Sequence, residues 1–217
     1  MVALRGRDID AFLARPDSRI VTICGCGIQG RMQAKAVSRI RKIKNIFAYD
    51  KDQDVAFRFA QEVSRELGIP VQVVTELSAA VAQSDICVTC TPAAQPLLRA
   101  SHVAAGTFIA AIGADNPEKQ ELDPTLMAKS KIVADLVEQC AVMGDLHHAI
   151  EAGAVRKDGV YAELGEIVSG KKKGRVTEDE IIVFDSTGMA LQDAAAAARV
   201  YQKAQELGSG VRLSLTA

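Results

Sequence analysis

The sequence predicts an α/β fold built on a doubly wound, mainly parallel sheet with helices on both faces. Two observations predict it. Short apolar runs alternate with helical or irregular segments along most of the chain, and parallel strands need crossover connections, which are usually right-handed helices. In addition, three glycines at Gly-x-Gly-x-x-Gly spacing directly follow the first apolar run and lead into a helical pattern.

The first elements have the clearest patterns. The apolar run at 19–23 predicts a buried strand, and a helix is predicted from Ile28 onwards. The run at 45–49 predicts the second strand. Residues 52–67 space their apolar side chains as an amphipathic helix does, and the Gly-Ile-Pro sequence at 68–70 ends it.

The elements that follow are shorter. Residues 71–74 predict a third strand, 76–83 a short helix and 85–89 the fourth strand. Two further apolar runs, 107–112 and 131–134, predict the fifth and sixth strands. Six short runs separated in this way are typical of one doubly wound sheet.

The last third departs from this rhythm. Residues 145–180 are charged and contain glycines, and their most basic part, 171–175, is interpreted as a solvated loop rather than a phosphate or nucleic-acid contact. The run 181–184 is another strand-like segment. Residues 188–207 predict a long alanine-rich helix whose small side chains permit close packing.

Composition and charge are ordinary for a soluble globular protein. Apolar residues make up 48% of the chain, charged residues 24%, and the formal net charge is -1. This balance favours neither nucleic acid nor a membrane as a partner. No apolar stretch approaches the roughly 20 residues that span a bilayer, and the N-terminus lacks the apolar core of a signal peptide. We therefore expect a cytoplasmic protein with one main domain.

Cysteine and histidine patterns predict no metal site. The five cysteines are an odd number, so the thiols are interpreted as reduced. Cys24-x-Cys26 and Cys87-x-x-Cys90 lie near the ends of two strands, so zinc binding is one interpretation. Core packing is favoured, because residues three apart on a strand point to opposite faces. His147 and His148 are adjacent, so on a helix they face different directions, and no third ligand is evident.

The glycine turn predicts a site for a dinucleotide pyrophosphate. Gly25 permits a tight turn, Gly27 lets the backbone approach the phosphates, and Gly30 lets the helix pack close to the strand. Ile28 and Gln29 begin that helix, whose unpaired N–H groups and partial positive charge favour an anion.

Three residues at other strand ends extend this site. Asp50 ends the second strand about 20 residues after the turn, where an acid accepts hydrogen bonds from the adenosine ribose and repels a 2′-phosphate. It therefore favours NAD over NADP as the cofactor, in a Rossmann-like sheet. Thr91 and Pro92 directly follow the fourth strand, at the edge where ligands of open α/β sheets bind, although Pro92 alone is equally well interpreted as a structural turn.

Three segments taken together are more specific than the glycine turn alone. They are residues 25–30, residues 112–124 (Ile-Gly-Ala-Asp-Asn-Pro-Glu-Lys-Gln-Glu-Leu-Asp-Pro) and residues 184–193 (Phe-Asp-Ser-Thr-Gly-Met-Ala-Leu-Gln-Asp). In this order they resemble the ornithine cyclodeaminase and mu-crystallin family of NAD(P)-dependent enzymes. The family's patterns are Gly-x-Gly-x-Gln-Ala, Gly-Ala-Asp-x-Pro-Gly-Lys-x-Glu-Leu-Asp-Pro and a signature before the last helix. Gly30 stands where the family has alanine.

The resemblance also implies a domain organisation. Family members usually carry a further domain ahead of this region, so residues 1–18 are interpreted as a remnant of a substrate and dimerisation domain. Residues 19–185 then form the dinucleotide-binding domain, and 186–217 a C-terminal helix and tail that return toward the substrate domain. Arg5 matches an arginine that holds the substrate carboxylate, although Gly6 replaces the usual threonine. A homodimer is implied if the missing domain is present.

The resemblance implies hydride transfer at the α carbon of an amino acid or cyclic imine. Asp115 matches the acid or base of the family; without the resemblance, a turn residue or helix cap before Asn116-Pro117 is the better interpretation. Ser186, Thr187 and Gly188 match residues near the nicotinamide, with a plain helix cap as the alternative.

Two classes of function follow. The first is an enzyme, most similar to an ornithine cyclodeaminase, with alanine dehydrogenase or imine reductase as the other members of that class. The second is a non-catalytic NAD(P)-binding module or a truncated, inactive family member, because the other carboxylate ligands have no counterpart here. Hydrolase and P-loop functions are excluded by the absence of their motifs.

Asp123 and Pro124 are interpreted as the start of a helix, with Glu121 as a neighbour of this cap.

Overall fold

The computed structural model describes residues 9–211 and residue 213. The chain divides into two units, Met1–Thr187 and Gly188–Ala217, and the sheets lie in the first. Arg5 lies outside the described residues, so its place beside a substrate carboxylate stays a prediction. Among the helices that the structure describes, none combines the length and the apolar character needed to cross a membrane.

Parallel strands dominate the first unit. Their bounds are Ile20–Cys24 (β1), Asn45–Tyr49 (β2), Val71–Val73 (β3), Ile86–Thr89 (β4), Ala94–Leu98 (β5), Phe108–Ala111 (β6), Gln120–Leu122 (β7), Lys131–Ala134 (β8), Ala162–Glu163 (β9) and Ile182–Asp185 (β10). Within the described residues, eight of them form one parallel sheet in the order β3-β2-β1-β4-β6-β10-β8-β9, and β5 pairs with β7 separately. The strand order reverses at β1, because β2 and β3 lie on one side of it and β4 on the other. This order confirms the predicted doubly wound fold and creates a crevice at the carboxyl ends of β1 and β4.

Helices connect these strands. Their bounds are Ile9–Leu13 (α1), Ile28–Ile40 (α2), Gln53–Leu67 (α3), Leu77–Val81 (α4), Pro124–Ala128 (α5), Val137–Cys140 (α6), Asp145–Glu151 (α7), Leu164–Val168 (α8) and Ala190–Glu206 (α9). The limits of α3 follow from its end residues. The Asp52 carboxylate accepts the N–H groups of Asp54 and Val55, and Gly68 ends the helix with a φ of 67°.

The sheet is buried on both faces, as expected of a parallel sheet covered by helices. Along β4, Ile86 and Val88 belong to one apolar cluster and Cys87 to the other. The same alternation separates Phe108 from Ile109 on β6. Strand residues that alternate in this way supply two cores, one on each face.

Some elements differ from the sequence predictions. Apolar patterns do not predict β5, β7 or β9, because β5 contains a proline, β7 begins Gln-Glu, and β9 has only two residues. The basic segment 171–175 forms no helix or strand, as predicted, but it is not wholly solvated. The Arg175 guanidinium donates hydrogen bonds to the backbone oxygens of Leu13 and Glu180, at 2.8 and 2.6 Å.

The second unit contains the long alanine-rich helix. This helix, α9, occupies Ala190–Glu206, close to the predicted 188–207. Its apolar residues Val200 and Tyr201 are exposed.

Candidate functional site

The glycine turn joins β1 to α2 in a backbone conformation that requires glycine. Gly25 has a φ of +96°, its N–H donates to the Tyr49 oxygen at 2.9 Å, and a Cβ there would lie 2.6 Å from the Cys90 oxygen. A Cβ at Gly30 would overlap the Gly25 oxygen. Close packing of α2 on the turn therefore explains why glycine replaces alanine at position 30.

The opposite side of this turn is open. A Cβ at Gly27 would meet no atom within 4 Å, and this residue caps α2 without any side-chain hydrogen bond. Ile28, the first residue of the helix, is 84% exposed, and Gln29 is exposed as well. The first turn of α2 thus presents N–H groups without a side-chain cap, which is the arrangement that binds a phosphate.

Asp50 holds the turn from the end of β2. One carboxylate oxygen accepts the N–H of Cys26 at 2.8 Å, and the other accepts the N–H of Asp52 at 3.0 Å. Each carboxylate oxygen has two lone pairs, so both retain a site for a ribose hydroxyl. The structure places this carboxylate directly beside the glycine turn, as a dinucleotide site requires.

Thr91 lies next to the glycine turn and is held by the Glu121 carboxylate. The sequence analysis interprets Glu121 only as a neighbour of the helix cap at Asp123. The Cγ2 atom of Thr91 would lie 3.0 Å from a Cβ at Gly25. The Thr91 N–H and hydroxyl donate to one oxygen of Glu121, at 2.6 and 2.7 Å, and the Gly113 N–H donates to the other oxygen at 3.0 Å. Pro92 continues the same loop after β4. Glu121 therefore ties together the loops that follow β4 and β6.

Glu121 is fully buried on β7, and burial raises its pKa against the opposing effect of these hydrogen bonds. A Cβ at Gly113 would lie 2.5 Å from the same carboxylate, so any larger residue there would force the Glu121 side chain to shift. Sequence patterns missed this role because a glutamate in a short polar run is usually exposed. Gly113 did not indicate this role either, because the sequence does not show that Gly113 and Glu121 come into contact in the fold.

Asp115 lies on the loop that follows β6, and 56% of its side chain is exposed. The Lys119 ammonium contacts the Asp115 carboxylate at 2.6 Å. The Asn116 side chain accepts hydrogen bonds from the N–H groups of Glu118 and Lys119, at 3.0 and 3.1 Å. These bonds close the turn that connects Asp115 to Lys119. Lys119 was not among the predicted site residues, although the four-residue spacing from Asp115 is a signal that could have found it.

Ser186 and Thr187 follow β10 and are almost fully buried. The Ser186 N–H donates to the Ala111 oxygen at 2.9 Å and its hydroxyl to Asp135 at 2.8 Å. The Gln139 amide donates to the Thr187 hydroxyl at 2.8 Å. Neither side chain caps α9, whose N-cap is Met189 without a side-chain hydrogen bond.

Gly188 opens the second unit with a φ of +82°. Its left-handed conformation is one that glycine adopts readily.

Two buried aspartates stabilise the same edge from α7 and β10. One oxygen of Asp145 accepts the N–H groups of Glu121 and Leu122, at 2.8 and 2.7 Å, and one oxygen of Asp185 accepts the N–H of Leu146 at 2.8 Å. The second oxygen of each has no hydrogen-bond partner. Burial and the charge of Glu121 raise the pKa of Asp145 to about 7; burial and Asp145 raise the pKa of Asp185.

The cysteines pack in the core, as the favoured interpretation predicts. All five are free, and four are buried. Burial raises the pKa of Cys87 to about 12, so this thiol stays protonated near neutral pH. The Cys90 thiol donates to the Gly25 oxygen at 3.2 Å, beneath the glycine turn. In the described ranges, no set of cysteines has the spacing of a metal site.

The turn after β1, Asp50, and the loops after β4 and β6 thus meet at the crevice of the sheet. An open helix N-terminus beside an acid at the end of β2 fits a dinucleotide, whose pyrophosphate and ribose need these two groups.

Known proteins are similar to this chain in sequence and in fold. The profile of the Ornithine cyclodeaminase/mu-crystallin family matches residues 9–208. An alanine dehydrogenase from Archaeoglobus fulgidus is 38% identical over 203 residues, which are 93% of this chain and 62% of that protein. The Thermococcus litoralis Delta(1)-pyrroline-2-carboxylate reductase, solved with NADH and L-proline, has a TM-score of 0.92 at 36% identity, over 94% of this chain and 64% of that one.

A third relative is the iminosuccinate reductase of Paracoccus denitrificans, solved with NAD+. Its TM-score is 0.87 at 34% identity, over 94% of this chain and 62% of that one. The chain therefore spans about three fifths of the length of the relatives that it matches.

Proposed function

The chain belongs to the ornithine cyclodeaminase/mu-crystallin family, and from that premise we propose that it is the cofactor-binding part of an NAD-dependent enzyme. The proposed reaction is hydride transfer at the α carbon of an amino acid or cyclic imine. The open N-terminus of α2 beside Asp50 is the observation that carries the proposal. Relatives solved with NADH or NAD+ support the choice of cofactor.

The chain's own residues hold the cofactor in this proposal. The first turn of α2 binds the pyrophosphate across the open side of Gly27, and Asp50 accepts the ribose hydroxyls. A negative charge at Asp50 disfavours a 2′-phosphate, so NAD binds in preference to NADP. When bound, the cofactor supplies the acceptor or donor of the hydride.

Loops at the same edge position the nicotinamide. Thr91, fixed by two hydrogen bonds to Glu121, lines the crevice beside the glycine turn, and Pro92 stiffens its loop. Ser186 and Thr187 follow β10, and their hydroxyl groups are held by Asp135 and Gln139. In this proposal these residues orient the ring and keep water away from it, and a place for Gly188 near the nicotinamide stays a prediction.

Asp115 is the proposed acid or base. Its carboxylate lies on the exposed loop after β6, where Lys119 holds it through the contact of 2.6 Å. An aspartate there can take a proton from a substrate amine, or return one to an imine nitrogen, as the hydride moves. The substrate carboxylate is then bound by groups such as Arg5.

Substrate, domain organisation and assembly are part of the same proposal. Relatives of similar identity act as an alanine dehydrogenase, a pyrroline-2-carboxylate reductase and an iminosuccinate reductase, so these three chemistries and a cyclodeaminase reaction are the candidates. We keep residues 1–18 as part of a substrate and dimerisation domain and 19–185 as the cofactor domain. An archaeal alanine dehydrogenase solved as a dimer with NAD supports a homodimer.

The test combines binding and turnover. We expect the chain to bind NAD more tightly than NADP in a fluorescence titration. Oxidation of alanine and reduction of cyclic imines are then followed by the absorbance of reduced cofactor, and ornithine requires product analysis because its cyclisation consumes no net NAD. No binding of NAD would refute the proposal. Binding of NAD without turnover of any of these substrates would favour the non-catalytic module.

A substitution separates the two roles in the site. Asp115→Asn should abolish turnover and leave the affinity for NAD nearly unchanged. Glu118→Gln is the matched control, because Glu118 is exposed on the same loop. Turnover that survives in Asp115→Asn would remove Asp115 from the mechanism.

A further inference from the structure

Helix α7 carries three residues that could share one ion. His147 and His148 are partly buried, Glu151 is exposed, and the three side chains offer ligand atoms that lie within 4.8 Å of one another. His147 and His148 are adjacent on the helix, and their ring centroids are 5.1 Å apart. Glu151, four residues after His147, is the third side chain of this group, and the sequence pattern did not reveal it.

The distance between two of these ligands matches a metal site. Nε2 of His147 lies 3.4 Å from Oε2 of Glu151. Zinc bonds to nitrogen and oxygen are about 2.0–2.1 Å long, so two ligands of a tetrahedral ion lie about 3.3 Å apart. An ion therefore fits between these two atoms without any change in their separation.

Both histidines have the backbone partners that metal-binding histidines need. Nδ1 of His147 lies 3.4 Å from the Ala141 oxygen, and Nε2 of His148 lies 2.9 Å from the Lys119 oxygen. A carbonyl oxygen only accepts hydrogen bonds, so the nitrogen facing it carries the proton. The other nitrogen of each neutral ring, Nε2 of His147 and Nδ1 of His148, then keeps its lone pair for a metal.

We propose that His147, His148 and Glu151 bind one Zn²⁺ ion on the surface of α7, with water as the fourth ligand. Imidazole and carboxylate groups in this combination are typical zinc ligands. A surface contact between Glu151 and His147 without a metal is the alternative that the experiments below distinguish.

The position of the site gives it a link to the loop after β6. His148 contacts the Lys119 backbone, and the Lys119 side chain contacts Asp115. Zinc would fix the His148 ring and with it the backbone that carries Lys119. The metal site itself rests on α7 alone and does not depend on the proposed hydride transfer.

Isothermal titration of the metal-free chain with zinc chloride tests the proposal. We expect one ion per chain, and affinity at least about tenfold lower in His147→Ala and His148→Ala. Glu151→Gln should weaken binding as well. His102→Ala is the matched control, because His102 is a partly buried histidine outside this cluster. Unchanged zinc affinity in the His148→Ala variant, or no binding by the unaltered chain, would overturn the proposal.

Cobalt substitution distinguishes this site from the thiols. A Co²⁺ complex of nitrogen and oxygen ligands shows only weak visible bands, whereas thiolate ligands add intense near-ultraviolet absorption. We expect the weak bands alone, and their loss in His147→Ala. Strong near-ultraviolet absorption would assign the metal to cysteines and overturn the proposal. Circular dichroism of each variant confirms that it is folded before its metal affinity is compared.

Discussion

Replacing Asp145 with asparagine should stabilise the protein, and the gain should grow as the pH rises. The Asp145 oxygen that accepts the N–H groups of Glu121 and Leu122 can be replaced by the amide oxygen of asparagine, which is also an acceptor. The other oxygen has no partner and lies in a fully buried, acidic environment. The substitution therefore removes the cost of ionising a buried carboxyl group and keeps the two hydrogen bonds.

The pKa of Asp145 sets the magnitude. Burial and the charge of Glu121 raise it from 3.8 to about 7, and each pKa unit corresponds to about 1.4 kcal/mol. Ionising the group in the folded protein thus costs about 4 kcal/mol. Above about pH 4 the unfolded chain has released this proton and the folded protein keeps it, so the stability falls as pH rises toward about 7. Between pH 5 and pH 8 the loss is about 3 kcal/mol.

Urea unfolding at pH 5 and pH 8 measures this effect. The free energy of unfolding of Asp145→Asn, relative to the unaltered chain, should increase by about 3 kcal/mol between the two pH values. Asp54→Asn is the control for the loss of an exposed carboxylate, because Asp54 is exposed on α3. A difference for Asp145→Asn that stays constant with pH would refute the reasoning, because it would mean that Asp145 is already ionised at pH 5.

Three further substitutions test other parts of the structure. Gly25→Ala should lower the free energy of unfolding by about 1–3 kcal/mol, because φ is +96° and the new Cβ would meet the Cys90 oxygen; an unchanged urea midpoint would contradict this. Asp50→Asn should raise the affinity for NADP relative to NAD by about tenfold, measured by titration of both cofactors. An unchanged ratio would exclude Asp50 from the ribose site. Asp123→Ala should cost about 1 kcal/mol by removing the cap of α5. The hydrogen bonds from Thr125 lower the pKa of Asp123, so this cost should disappear as the pH falls through that lowered pKa, and a cost that persists in acid would argue against the cap.

Local sequence patterns predicted much of the fold. Apolar runs placed the central strands to within one or two residues, because a strand buried on both faces needs continuous apolar side chains. The cap at Asp123 followed from its aspartate-proline pair, and its side chain accepts the Thr125 N–H at 2.8 Å. Short strands such as β7 escaped prediction because a Gln-Glu-Leu run carries no such signal.

The sequence by itself determined the fold class, the glycine turn and the acid at the end of β2, because each depends on residues that are close in the chain. Only the tertiary structure decided what fixes the rest of the site. Glu121 reaches Thr91, 30 residues away, and Asp145 holds the backbone of β7 from a distance of 24 residues. A buried carboxylate is recognised by the donors around it, and these donors come together only when the strands and loops pack.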